Sequence, residues 1–173
     1  MWKEKDKKVR LRAPKAPPKK TIIDFGGASC PFEHNSIIVD YQKQDCYGNK
    51  INYHYINDIS SRIDVIFSSR CLEHIENLEE IFKNFKLKLT ENGELLFLLP
   101  AYTCKRWRYG IHKNSIDGDH KWTFALSNDN NEDLKHIKKL LYIDTFVNKF
   151  FKIVKSEYCG DNSIFIHCIN FNN

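Results

Sequence analysis

The stretch Thr21–Tyr41, TIIDFGGASCPFEHNSIIVDY, constrains the fold more than any other. It reads as strand, glycine turn, short connection, strand, carboxylate. Ile22, Ile23 and Phe25 form a short apolar run of the kind that fills a strand buried on both faces. Gly26 and Gly27 follow at once. Two glycines at the carboxyl end of a buried strand allow a sharp turn and let a ligand approach the backbone closely. A second run, Ile37-Ile38-Val39, ends in Asp40-Tyr41. In a doubly wound sheet, a carboxylate there lies beside the first glycine turn and can accept hydrogen bonds from both hydroxyls of a ribose. The residues alone fit either such a nucleoside site or a plain βα turn beside a solvated Asp.

The rest of the chain alternates strands with helices. Ile51–Ile56 alternates and is aromatic, which predicts a strand, and Ile63–Phe67 predicts another. Ile75, Leu78, Ile81, Phe82, Phe85 and Leu89 recur at helical spacing, opposite Glu76, Glu79, Lys83 and Lys86. Asn92-Gly93 closes that helix. Leu95–Leu99 is a buried strand stopped by Pro100. Ala101–Leu126 has weak periodicity, and so long a stretch without clear elements suits a lid or binding loop. Asn130-Asn131 can cap a further helix carrying Leu134, Ile137, Leu140 and Leu141, with the pattern running on to Phe150. Phe151–Tyr158 and Ser163–Phe171, joined by Cys159-Gly160-Asp161-Asn162, predict a closing antiparallel hairpin. The order implies an α/β fold with a mostly parallel sheet.

With 173 residues the chain suits one domain with a sizeable core. No apolar run approaches the roughly 20 residues a membrane span needs. The charged amino terminus is unlike a secretory signal, so a cytoplasmic location is expected. The six cysteines include no CxxC pair, which is poor spacing for structural zinc; reduced, mostly buried thiols are expected. The net charge of +5 is uneven. Residues 1–20 hold nine Lys or Arg and two acids, and the remainder is slightly acidic. This arm, with Pro14, Pro17 and Pro18, is expected to stay extended or disordered until it meets a partner. It reads either as a solubilising tail or as an electrostatic tether for nucleic acid, a membrane surface or an acidic protein. Residues 21–173 form the folded domain.

Over Thr21–Phe171 the chain resembles the class I S-adenosylmethionine-dependent methyltransferases. IIDFGG with VDY resembles their cofactor turn and ribose acid. DVIFSSRCLEHIENLEEIFKNFKLKLTENGELLFLLP resembles their run from strand four through "LEH" and a helix to strand five. The hairpin resembles their strands six and seven. The short link after the glycine turn, and DHKWTF before a helix, resemble members associated with glycan biosynthesis. The resemblance implies a Rossmann-like, mostly parallel seven-stranded sheet with an antiparallel terminal hairpin. The first half has reduced helices, because only nine residues separate Gly27 from Ile37.

The resemblance also implies S-adenosylmethionine as cofactor and assigns residues to it. Gly26 and Gly27 would lie under the methionine part, with Asp24 near its amino group. Asp40 would hold the ribose, Tyr41 would flank the adenine and Asp58 would meet its amino group. Ser69 and Arg70 would face the cofactor from strand four. The family's second and third turn glycines are here Ala28 and Cys30.

Methyl transfer to a hydroxyl gains from a general base, and the candidates are His120, His74 and His112, with His120 first because it follows Asp119 in the substrate loop. Arg106, Trp107, Arg108 and Tyr109 combine cations with stacking surfaces, which suits a phosphorylated or nucleotide-linked substrate, or single-stranded RNA. Glu73 and His74 are adjacent, and two neighbouring ligands alone assign no metal. The leading expectation is O-methylation of a small or sugar-type acceptor. The alternatives are a degenerate methyltransferase fold serving as a binding or assembly module, and an RNA methyltransferase tethered by the arm. A nicotinamide-dependent dehydrogenase fits poorly, since GxGxxG spacing is missing.

Overall fold

A computed structural model describes residues 20–28, 31–32, 36–51, 53–111 and 119–171. The expectations for the arm at residues 1–19 and for His112 lie outside these residues.

Six strands form one sheet. They are β1 (Ile22–Phe25), β2 (Ile37–Val39), β3 (Ile63–Ser69), β4 (Leu89–Pro100), β7 (Lys152–Cys159) and β8 (Ser163–Ile169). The spatial order is β2-β1-β3-β4-β8-β7. β2, β1, β3 and β4 run parallel, and β8 is antiparallel to both β4 and β7. The expected strand at residues 51–56 shrinks to a single parallel bridge from Tyr53 to Val39, so the seventh position of the sheet is held by one residue pair. The chain has no room for more. Ile56–Asp58 is already a 3-10 turn, and Ile56, Ile59 and Ile63 must turn inward to the core.

Helix α1 (Leu78–Lys88) crosses from β3 to β4. It starts later than Ile75 because Leu72–His74 forms a separate 3-10 turn and Asn77 caps the helix, accepting from the Glu80 N–H at 3.2 Å. Its carboxyl end is closed from outside. Arg62 donates to the Leu87 and Leu89 carbonyls at 2.6 and 2.8 Å, and the Asn170 amide donates to the Lys86, Leu89 and Thr90 carbonyls. These groups occupy carbonyls that a helix end leaves without internal donors.

The helix expected after Asn130 is not formed. Asn131 caps a 3-10 turn at Glu132–His136, and Lys139 adopts a left-handed φ of 53°. The chain then forms β6 (Leu140–Tyr142), parallel to β5 (Thr123–Ala125), before the short helix α2 (Ile143–Val147). The apolar spacing was genuine, but it served a turn, a strand and a helix in succession.

One face of the sheet carries the main core. Phe82 lies within 6.3 Å, ring to ring, of Phe85, Phe97, Phe146, Phe150 and Phe151. Alternation along the strands places Ile22, Val65, Phe67, Leu96 and Leu98 on the other face, where Phe32 stacks on Phe67. Of the five described cysteines, all free thiols, only Cys168 is fully buried, which corrects the expectation of mostly buried thiols. Burial pushes its thiol up to about 12. Among the described residues no helix is long and apolar enough to cross a membrane.

Candidate active site

The glycine turn leaves β1 with Gly26 at a φ of +78°. A Cβ at Gly26 would sit 2.4 Å from Cβ and Sγ of Cys71, and one at Gly27 would meet the Asp24 carboxyl. Both positions therefore exclude a side chain for reasons of space, and Gly26 also for its backbone angle. Gly26 N–H donates to Val39 O at 2.8 Å, which pins the turn to β2. Asp24 is buried and accepts from the Phe32 N–H at 2.5 Å.

Asp40 lies against this turn. It is only 7% exposed. Its Oδ2 accepts from Ala28 N–H at 3.1 Å and its Oδ1 from Gln42 N–H at 3.0 Å. Its own N–H donates to Tyr53 O at 3.2 Å, and the His54 Nδ1–H donates to its carbonyl at 2.8 Å. A carboxylate oxygen has roughly two lone-pair sites, so each keeps capacity for another donor. Ser68, in register with Phe25, buries a hydroxyl with no hydrogen-bond partner among the described residues. The glycine turn and the Asp40 carboxylate thus stand together at the carboxyl ends of β1 and β2. Tyr41, beside the acid, is 86% exposed, and Asp58 lies exposed on its 3-10 turn.

Arg70 follows β3 with a left-handed φ of 57°. Its guanidinium donates to Ser163 Oγ at 2.5 Å and lies 4.1 Å from the centroid of the Trp107 ring. Arg106 approaches the same ring at 4.9 Å. Trp107 is thus brought to the end of β3, as one substrate-loop residue among the four expected. Arg108 instead holds the loop itself, donating to Tyr102 O at 2.6 Å, and Tyr109 is tied by its N–H to Thr123 Oγ1.

Beyond Cys71, the 3-10 turn carries Glu73 and His74 to His120. Glu73 is 1% and His120 5% exposed. The three side chains each place a potential ligand atom within 4.8 Å of the others. The rings of His74 and His120 meet edge to face at 4.7 Å. Lys121 N–H donates to Glu73 O at 2.8 Å, and Trp122 Nε1–H to Ile75 O at 2.9 Å, which clips the two segments together. Next to them the bonded Lys121 ammonium holds the Asp119 carboxyl below the usual carboxylate range. Sequence spacing gave no sign that Glu73 and His120 meet, because the contact is long-range.

The sequence profile of a family described as a methyltransferase domain matches residues 3–144. The chain belongs to this methyltransferase family. Its methyl donor is S-adenosylmethionine. No curated protein matches in sequence. Among solved structures, the S-adenosylmethionine-dependent methyltransferase from Mesorhizobium loti is 14% identical, with a TM-score of 0.59 over 94% of this chain and 95% of that one. The N-methyltransferase NodS from Bradyrhizobium japonicum WM9, in complex with S-adenosyl-L-homocysteine, is 13% identical, with a TM-score of 0.57 over 87% and 78%. A chain of the fibrillarin/Nop5p complex is 17% identical, with a TM-score of 0.55 over 94% and 78%. At these identities the likeness is one of fold.

Proposed function

We propose that this chain methylates a hydroxyl group of a small or sugar-type acceptor, with Asp40 holding the cofactor ribose and the Glu73–His74–His120 cluster serving the acceptor. The observation that carries the reading is the buried Asp40 carboxylate bonded to the glycine turn at Ala28, with Cys71 packed on that turn two residues before Glu73. When bound, S-adenosylmethionine supplies a methyl group already activated by its positive sulfur, so the protein's main task is alignment. Asp40 accepts from the ribose hydroxyls. The backbone at Gly26 and Gly27 admits the methionine part, with Asp24 beside it, and Ser68 and Ser69 line the end of β3. Tyr41 offers a ring to the adenine.

The His120 Nδ1–H donates to Trp107 O at 2.7 Å, so in the neutral ring Nε2 carries the lone pair that serves the acceptor hydroxyl. Arg70 and Arg106 around Trp107 suit an acceptor that carries an anionic group.

Calorimetric titration with S-adenosylhomocysteine tests the cofactor half of this reading. The expected result is binding that Asp40→Ala weakens at least tenfold. Failure of the unchanged protein to bind overturns it. A methyl-transfer assay over sugars, small alcohols, amines and RNA tests the acceptor half, and methylation confined to nitrogen or to RNA overturns it.

A further inference from the structure

We propose that Glu73, His74 and His120 hold a single divalent transition-metal cation beside the carboxyl end of β3. The donors are one carboxylate and two imidazoles, brought together from two distant segments with their candidate ligand atoms within 4.8 Å of one another. Around an ion with bonds of about 2.1 Å, neighbouring ligand atoms stand about 3.0–3.4 Å apart, so the cluster closes on a cation by side-chain movements of about 1 Å.

Two further features point the same way. His120 donates its Nδ1–H to a backbone carbonyl, that of Trp107, at 2.7 Å. That bond fixes the tautomer and leaves Nε2 as the ligating nitrogen, which is how a metal-binding histidine is ordinarily held. Glu73 is 1% and His120 5% exposed, so both donors are held away from bulk water where the two segments meet. The backbone bond from Lys121 N–H to Glu73 O keeps both halves of the cluster in register before any ion arrives.

The donor set narrows the ion. Imidazole with carboxylate suits Zn²⁺, Fe²⁺, Co²⁺ or Mn²⁺, whereas Mg²⁺ and Ca²⁺ prefer oxygen throughout. Three protein ligands leave coordination positions open, as in sites that bind substrate rather than sites that only brace a fold. What the cation does there rests on the methyl-transfer reading above; that it binds does not. A hydroxyl oxygen of the acceptor in an open position loses its proton to water at a lower pH than a free alcohol does. In that state His120 acts through the cation rather than by taking the proton itself.

The test uses the full chain, treated with chelator and dialysed, and titrated with Co²⁺ while its visible d–d absorption is recorded. The expected result is one equivalent of Co²⁺ with a saturable visible band. Affinity falls at least tenfold in Glu73→Gln and in His120→Ala, with circular dichroism confirming that each variant is folded. Glu73→Gln keeps the shape of the side chain, so it remains informative if His120→Ala does not fold. Absence of a saturable band, or a band that both folded variants retain at full affinity, overturns the proposal. S-adenosylhomocysteine titration on the same samples separates the two readings. Cobalt binding without cofactor binding sinks the methyltransferase reading and leaves the metal site. Cofactor binding without cobalt does the reverse.

Discussion

β2 contributes three residues to the sheet and β8 contributes seven, so the two sides differ in how much ladder they add to the core they share. On the β8 side, β4 and β8 pair continuously from Glu94 to Pro100, and the cluster around Phe82 lies beneath them and α1. On the β2 side Ile23, Phe25 and Val39 join that same core, with Ile37 and Tyr53 packed partly against it. The turn, the acid and the bridge at Tyr53 are held by backbone hydrogen bonds, Gly26 to Val39, Cys46 to Ala28 and Asp40 to Tyr53, and by the Asp40 carboxylate on Ala28. Apolar burial contributes per area removed from water, whereas a hydrogen bond contributes little net but is costly to leave half-made. One core thus underlies both halves, and the β2 edge adds a set of backbone and carboxylate hydrogen bonds around the glycine turn.

Four substitutions probe that difference. Phe82→Ala is expected to act hardest, destabilising by about 3–5 kcal/mol as a large aromatic leaves a packed core. Urea unfolding measures it, and a loss below a third of that range would show that the Phe82 cluster does not dominate. Gly26→Ala comes next, at about 1–3 kcal/mol for a non-glycine residue held at positive φ, with the Cys71 contact adding to it. Thermal melting with a paired cofactor titration reads it, and affinity is expected to fall more than stability.

Tyr158→Phe removes a hydroxyl that accepts from Leu126 N–H at 3.0 Å and donates to Asp129 at 2.9 Å. Burial and the neighbouring Asp129 push that phenol's pKa upward, despite the Leu126 N–H, so it stays a donor at any working pH. The expected cost is about 1 kcal/mol with unchanged cofactor affinity.

Glu94→Gln is the mildest. Burial raises the Glu94 pKa, but Lys20, bonded at 2.8 Å, and His167, at 3.0 Å, together pull it below its ordinary value of 4.5. A carboxyl whose folded pKa is depressed adds stability above its unfolded pKa, and that stability is lost as pH falls through the folded value. At pH 7 the substitution should cost about 0.2–1 kcal/mol, and below the folded pKa nothing. Stability curves at pH 7 and pH 3 that differ from wild type by the same amount would contradict this.

What the sequence disclosed follows the same line. Long-period signals around the core were legible in kind: the spacing from Ile75 to Leu89 marks α1 and Leu95–Leu99 marks β4. The helix, however, ends at Lys88, and Asn92-Gly93, expected to close it, lie inside β4, which begins at Leu89. The hairpin was legible from its turn residues, with Asp161 and Asn162 both at positive φ. The strand at residues 51–56 was misread because alternation marks a half-buried surface and not a ladder, and Ile51, Tyr53, Ile56 and Ile59 bury themselves from a near-coil. The segment after Asn130 was misread because 3.6-residue spacing does not show the turn at Lys139 that breaks it. In the site, the order of strands alone brings Asp40 to the glycine turn. The meeting of Glu73 with His120 belongs to the fold of the loop and left no local trace.

Asn170 has a practical consequence. Its side chain reaches three carbonyls at the end of α1, and its backbone exchanges hydrogen bonds with Gly93 and Asn92. The carboxyl-terminal segment is therefore a fastener for the α1–β4 corner. An affinity tag or reporter fused after residue 171 has to leave that knot intact, whereas trimming the chain back to the hairpin should loosen a corner far from the trimmed end in sequence.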